Sequence, residues 1–354
     1  LLIGSSAFFI GGDVDIQRAA VIGGGSFGTV VANILTDNKI QTVQWMRNEA
    51  VANTINTSHT NPDYLPGITL NPELKATTDL RAAVKGADVI FVSVPSYTVR
   101  QVVTAFAAEL KPEQALISTT KGIEHDGFLL MSQVLAEICP NNPVGVLSGP
   151  NLAKEIAKRE LAATVIASEN SELRRNVQNA LSCSYFRVYA SNDLYGVELG
   201  GALKNIYAIV SGFVAALGMG ENTKSMIITR SLAEMSRFAV ALGANPLTFL
   251  GLAGVGDLVV TCMSPLSRNY RVGYAIGQGK TLDDAIKELG EVAEGVNTLK
   301  YVRARAIELD IYMPLVMGAY EILFNAAQPK DVAQGLMTGD YASDVEFALP
   351  KHEI

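Results

Sequence analysis

The stretch LGGALKNIYAIVSG, residues 199–212, holds one charged side chain, Lys204, and the chain next meets charge at Glu221. A lysine is almost never fully buried without a partner. On a helix Lys204 shares a face with Gly200, Gly201, Ala208 and Ser211, all of them small. Small residues around a lysine predict a lined cavity with the ammonium facing a ligand, and Asn205 is the neighbouring polar group. Partial desolvation weakens the preference for the charged form and brings a lysine toward acid/base work near neutral pH. A carboxylate would orient it. Asp257, after Gly254 and Gly256 in the apolar run GLAGVGDLVV, is the candidate, though a helix N-cap is an equally ordinary use for it. Ser267, Arg268 and Asn269 follow, a hydroxyl, a guanidinium and an amide side by side. They suit a phosphate or a carboxylate.

A second constellation lies near the start of the chain. Gly23-Gly24-Gly25-Ser26-Phe27-Gly28 fits G-x-G-x-x-G between a predicted strand, AAVI, and a helix from Ser26 to Thr36. Gly23 permits the tight turn, Gly25 lets the backbone approach a pyrophosphate, and Gly28 allows close helix–sheet packing. The helix N-terminus offers N–H groups to the anion. At the end of the second strand, where an acidic residue would hold the ribose 2′-OH, stands Arg47, which suits a 2′-phosphate. Glu49, two residues on, is the alternative that would reach the ribose instead.

Ligands of open α/β sheets bind outside the carboxyl ends of the strands. Those ends carry Pro95-Ser96, Lys121-Gly122 and Ser148-Gly149-Pro150-Asn151. Lys121 follows the strand QALISTT closely enough for its ammonium to reach cofactor or substrate. Asn151 opens a helix, where capping is its other reading.

The elements that must position these groups fall into two kinds. Strand candidates QTVQWM, ADVIFVSVP, QALISTT, PVGVLSG, LAATVIAS and YFRVYA alternate with helical segments. That alternation predicts an α/β domain with a mostly parallel, Rossmann-type sheet. After about Ser191 strand signals vanish. Helices are predicted over 197–217, 223–242, 282–289, 295–309 and 314–324. The expected organisation is an extension over 1–18, a dinucleotide-binding domain over 19–190, an all-helical substrate domain over 191–335 and a tail over 336–354. No low-complexity linker divides the halves, so a helix packed against both is expected at the boundary.

Net charge is −7, which disfavours nucleic acid and anionic membrane as main partners. Mean hydropathy is +0.23, but glycines break the long apolar runs, so buried helices are expected rather than membrane spans. Cys139, Cys183 and Cys262 are far apart, and His59, His125 and His352 are scattered. Reduced thiols, a cytoplasmic setting and no metal follow. The stretch LLIGSSAFFIGGDVD, which does not begin with Met, is left out of the functional reading.

These residues together resemble the bacterial-type NAD(P)-dependent glycerol-3-phosphate dehydrogenases. The motifs that carry the resemblance are IGGGSFG, VPS, TTKGIE, LSGPNLAKE, GVELGGALKNI, ITRSLAEMSR, GLAGVGDLVVTC, SRN and VAEG, in order over roughly 19–330. The resemblance implies reversible hydride transfer between NAD(P)H and dihydroxyacetone phosphate, giving sn-glycerol 3-phosphate for glycerophospholipid synthesis. It implies a helical part like the C-terminal domain of 6-phosphogluconate dehydrogenase. Lys204 would be the catalytic acid/base. Lys121, Gly149, Asn151, Asp257, Ser267, Arg268 and Asn269 would line the substrate site. Ser26, Phe27, Arg47, Lys121, Ala153, Arg268, Val292 and Glu294 would contact the cofactor, beside Gly23, Gly25 and Gly28. Phe27 stands where Trp is common, and Asn151 where Ser or Thr often follows SGP. A homodimer is the expected assembly, without a motif that carries it. A related two-domain dehydrogenase of β-hydroxy acids or sugar acids, and a non-catalytic nucleotide sensor, are the competing classes.

Overall fold

The computed structural model describes residues 16–124, 127–290 and 293–338. Most of the N-terminal extension, most of the C-terminal tail, His125, His352 and Val292 lie outside those residues.

The first half alternates as its sequence predicts. It runs β1 (Arg18–Ile22), α1 (Ser26–Asp37), β2 (Gln41–Trp45), α2 (Glu49–Ser58), β3 (Lys75–Thr77), α3 (Leu80–Val84), β4 (Val89–Val92) and α4 (Ser96–Ala107). Then come β5 (Ala115–Ser118), a small hairpin of β6 (Ile123–Glu124) and β7 (Leu129–Leu130), α5 (Met131–Ile138), β8 (Val144–Ser148), α6 (Ala153–Ala157), β9 (Ala162–Ala167), α7 (Ser171–Leu181) and β10 (Phe186–Ser191). Eight strands form one sheet in the order β10-β9-β8-β5-β4-β1-β2-β3. Neighbours are parallel except β8 and β9, which run antiparallel. All four side chains of β4 are buried, as a strand covered by helices on both faces requires. Asn48, Asp79 and Asn170 accept from backbone N–H groups at the starts of α2, α3 and α7, which fixes where those helices begin. Strand order reverses between β1 and β4, and the glycine loop leaves the carboxyl end of β1 at that switch point.

The second half is helical: α8 (Leu194–Ala216), α9 (Glu221–Ala241), a 3₁₀ turn over Pro246–Leu250, a single π turn over Leu252–Gly256, α10 (Asp257–Met263), α11 (Arg268–Gly277), α12 (Leu282–Leu289), α13 (Glu294–Glu308), α14 (Pro314–Phe324) and α15 (Pro329–Met337). Helix α8 is long and apolar enough by length and composition to cross a membrane, but it is the central core helix. It packs on β8 and β9 and on α9, α10, α11 and α13, so it serves both halves.

The small residues of α8 correct the expectation of a lined cavity. A Cβ on Gly200 would lie 2.9 Å from the Ala253 carbonyl oxygen, and one on Gly201 would lie 2.6 Å from Ser148 Oγ. Farther along, a Cβ on Gly212 would meet the Tyr270 carbonyl oxygen at 2.2 Å. Ala208 is fully buried in the helical core. These glycines are small because neighbouring atoms press against them, backbone at Gly200 and Gly212 and the Ser148 side chain at Gly201, and they do not leave room for a ligand. The second correction concerns 257–277. Its two glycines and one proline conceal two helices, α10 and α11.

Candidate active site

Lys204 is 6% exposed and Asp257 fully buried. Lys204 Nζ donates to Asp257 Oδ1. It also donates to Thr261 Oγ1 at 2.6 Å, and that hydroxyl lies 3.3 Å from Asp257 Oδ1. From the Rossmann half, Lys121 Nζ donates to Asp257 Oδ2 at 2.6 Å and to the Gly149 carbonyl at 2.9 Å. One carboxylate therefore joins two lysines from the two halves of the molecule. The π turn sets this up. It delivers Asp257 as the first residue of α10, and the carboxylate makes no capping bond there. Thr261, one turn on, falls on the same face.

Burial pulls the Lys204 ammonium down from its ordinary value to about 7. Asp257 opposes that shift and the Lys121 charge assists it.

The surrounding amides make hydrogen bonds within the protein. Asn205 Oδ1 accepts from Asn269 Nδ2 at 2.9 Å, and Asn269 Oδ1 accepts from the Gly295 N–H at 3.0 Å. Ser267 caps α11, its hydroxyl accepting from the Tyr270 N–H at 3.3 Å. Arg268, the first residue of α11, is exposed. Asn151 does not cap α6, whose N-cap is Leu152. Its Nδ2 donates to Thr164 Oγ1 at 2.9 Å, while its buried Oδ1 has no partner. Gly149 has φ +143° and its Cβ position faces Thr164. Glu294, at the start of α13, accepts from the Ser96 N–H at 3.0 Å and the Ser96 hydroxyl at 2.6 Å. That pair joins the two halves beside Gly122, where a Cβ would collide with Ser96.

The glycine loop fits a dinucleotide. Gly23 has φ +137°, and a Cβ there would lie 2.1 Å from the Ser93 carbonyl oxygen. Nothing lies within 4 Å of a Cβ on Gly25, so the backbone at that point is open to a large anion. No side chain caps α1, and its first turn carries no acid. Ser26 Oγ donates to the Tyr64 carbonyl at 3.0 Å, and Phe27 is partly buried. Ala153 packs partly buried in the same core. Arg47 and Glu49 are both exposed past the end of β2.

Sequence reasoning missed Thr261, Glu198 and Glu234. Glu198 on α8 accepts from the Ser132 N–H at 2.9 Å and from the Ser132 hydroxyl at the start of α5. Glu234 on α9 accepts from the Leu315 N–H at 2.6 Å and the Val316 N–H at 3.3 Å at the start of α14. Both are buried carboxylates holding helix N-termini, and burial raises each to about 7. The signal for Glu198 was available: it is the last acid before the run around Lys204.

Fold and site together define a two-domain, dinucleotide-dependent oxidoreductase. Comparison with known proteins narrows the class. Residues 18–174 match the N-terminal family profile of NAD-dependent glycerol-3-phosphate dehydrogenase, and 193–334 match the C-terminal one. A glycerol-3-phosphate dehydrogenase [NAD(P)+] of Acinetobacter baylyi is 57% identical, covering 95% of this chain and 94% of its own. The same-named protein of Ectopseudomonas mendocina is 58% identical over 94% of this chain and 98% of its own. The crystal structure of glycerol-3-phosphate dehydrogenase from Coxiella burnetii superposes with a TM-score of 0.87 at 34% identity, covering 92% of this chain and 99% of that one. The chain belongs to the NAD-dependent glycerol-3-phosphate dehydrogenase family.

Proposed function

We propose that the protein reversibly converts dihydroxyacetone phosphate to sn-glycerol 3-phosphate with NAD(P)H, and that Lys204 moves the proton. The observation that carries this reading is the buried Lys204 ammonium held on Asp257 where the helical half meets the strand ends. When bound, the reduced nicotinamide supplies hydride to C2 of the substrate. Gly23, Gly25, Ser26, Phe27 and Gly28 would hold the pyrophosphate. Arg47 would face a 2′-phosphate, and Ala153, Val292 and Glu294 would complete the cofactor side.

Lys204 donates a hydrogen bond to the C2 carbonyl oxygen. As negative charge grows there, the ammonium stabilises it and gives up a proton. In the reverse direction the neutral amine takes the proton of the C2 hydroxyl. Asp257 and Thr261 keep Nζ aimed. Lys121 reaches substrate and cofactor from the Rossmann half, beside Gly149 and Asn151. Arg268 supplies the cation for the phosphate, with Ser267 alongside. Asn269 has its oxygen and one N–H committed to Gly295 and Asn205, so its second N–H is the one that meets the phosphate.

This chemistry supports a place in glycerophospholipid precursor supply. The three cysteines, free of disulfides, support a cytoplasmic location, and a homodimer is the assembly we expect. The test is initial rates with dihydroxyacetone phosphate, a β-keto acid and a sugar-acid ketone, each with NADPH and NADH. A rate on dihydroxyacetone phosphate far above the others supports the reading. Preference for either acid overturns it.

A further inference from the structure

Beneath the glycine loop lies a closed, buried polar cluster. Thr29, Gln44 and Asn61 are fully buried. Gln44 Nε2 donates to the Gly23 carbonyl at 2.9 Å and to Thr29 Oγ1 at 3.0 Å. Asn61 Nδ2 donates to the Gly24 carbonyl at 3.0 Å and to Thr29 Oγ1 at 2.9 Å. The Thr29 hydroxyl points its own proton to the Gly24 carbonyl at 3.4 Å. Each amide thus spends both protons, one on the loop and one on the threonine. The hydroxyl spends its proton and both lone pairs. Two carbonyl acceptors on the loop fix the orientation of both amides. The amide oxygens, Gln44 Oε1 and Asn61 Oδ1, are buried without partners. Leaving a buried acceptor unsatisfied is costly, so packing alone would favour apolar residues here.

We propose that Thr29, Gln44 and Asn61 are positioning residues for dinucleotide binding: they lock the Gly23 and Gly24 carbonyls inward. In a trans peptide the N–H points opposite to the C=O. Fixing the carbonyls of residues 23 and 24 inward therefore turns the N–H groups of Gly24 and Gly25 outward. Gly25 is where the loop opens to space. The donors are aimed before the anion arrives, so binding does not have to order them. This inference rests on the dinucleotide reading of the loop.

The experiment compares NADPH dissociation constants, read by nucleotide fluorescence, for the wild type, Thr29→Val, Thr29→Ser and Asn61→Asp, with melting temperatures of the same proteins without cofactor. Thr29→Val keeps the shape and loses the hydroxyl. Its NADPH dissociation constant should rise about tenfold, a loss of about 1.4 kcal/mol, while the KM for dihydroxyacetone phosphate stays within about twofold. Thr29→Ser should restore wild-type binding. Asn61→Asp, which replaces two donors by an acceptor, should weaken NADPH binding at least as much. A folded Thr29→Val protein that binds NADPH as the wild type does overturns the proposal, as does a lowered melting temperature with unchanged affinity. Failure of the wild type to bind NADPH overturns the dinucleotide reading itself, and with it this inference.

Discussion

Lys121 and Lys204 meet on one carboxylate. Each donates to a different oxygen of Asp257, one from the Rossmann half and one from the helical half. The carboxylate is fully buried, so neither lysine can lose it without leaving a charge short of a partner. This shared anion both holds Lys204 in place and ties the two halves together.

Replacing Asp257 by Asn keeps the shape and removes the charge. Two ammonium groups would then face each other without an anion between them. Turnover should fall at least about 100-fold, and denaturant titration should show a protein destabilised by a few kcal/mol, on the order of 3. Circular dichroism should confirm that the variant folds.

On the proposed role of Lys204, its depressed value gives the pH dependence opposite signs in the two directions. Reduction would need the ammonium, so kcat/KM for dihydroxyacetone phosphate should decline as pH rises through about 7. Oxidation needs the neutral amine and should rise through the same range. Because the Lys121 charge helps to lower Lys204, Lys121→Met should move both inflections upward. Initial rates from pH 5.5 to 9 in both directions check this.

Glu198 and Glu234 act on stability instead. Burial raises both from the ordinary glutamate value of 4.5 to about 7 in the folded protein. A raised carboxylate contributes stability that is complete below about 4.5 and is lost as pH rises through about 7. Wild-type stability should therefore decline across that window, by about 1–3 kcal/mol for each group. Glu198→Gln should flatten part of the decline. Denaturant midpoints at pH 5 and pH 8 give the comparison.

Two glycines should separate stability from binding. A Cβ on Gly273 would lie 1.9 Å from the Ile209 carbonyl oxygen, where α8 and α11 cross. Gly273→Ala should cost about 3 kcal/mol of stability. Gly25 has open space and an ordinary extended backbone. Gly25→Ala should leave stability within about 0.5 kcal/mol and weaken dinucleotide binding roughly tenfold or more, because the new methyl fills the opening. Thermal melts and fluorescence titration measure the two effects.

What was legible in the sequence was chemistry out of place: a lysine in an apolar run, an aspartate after paired glycines, and glycines between a strand and a helix. Those signals led to Lys204, Asp257 and the loop. The partnership of Lys121 with Asp257 was not legible, because 136 residues separate them and the packing of the helical half on the sheet brings them together, α8 on β8 and the π turn on β9. Thr261 was hidden because its role depends on where α10 begins, and a π turn decides that. The small face of α8 was read for the wrong cause. Gly200 and Gly201 look alike whether a ligand or a backbone approaches them, and here the approach is by the Ala253 carbonyl and Ser148. Strand β3, three residues long with an exposed lysine, carries no alternation to detect.

The most direct test replaces Lys204 by Ala and measures turnover of dihydroxyacetone phosphate with NADPH, together with NADPH affinity. Turnover should fall at least about 1,000-fold while NADPH still binds with near wild-type affinity. Turnover close to the wild-type rate in a folded, NADPH-binding variant would contradict the assignment of the proton transfer to Lys204.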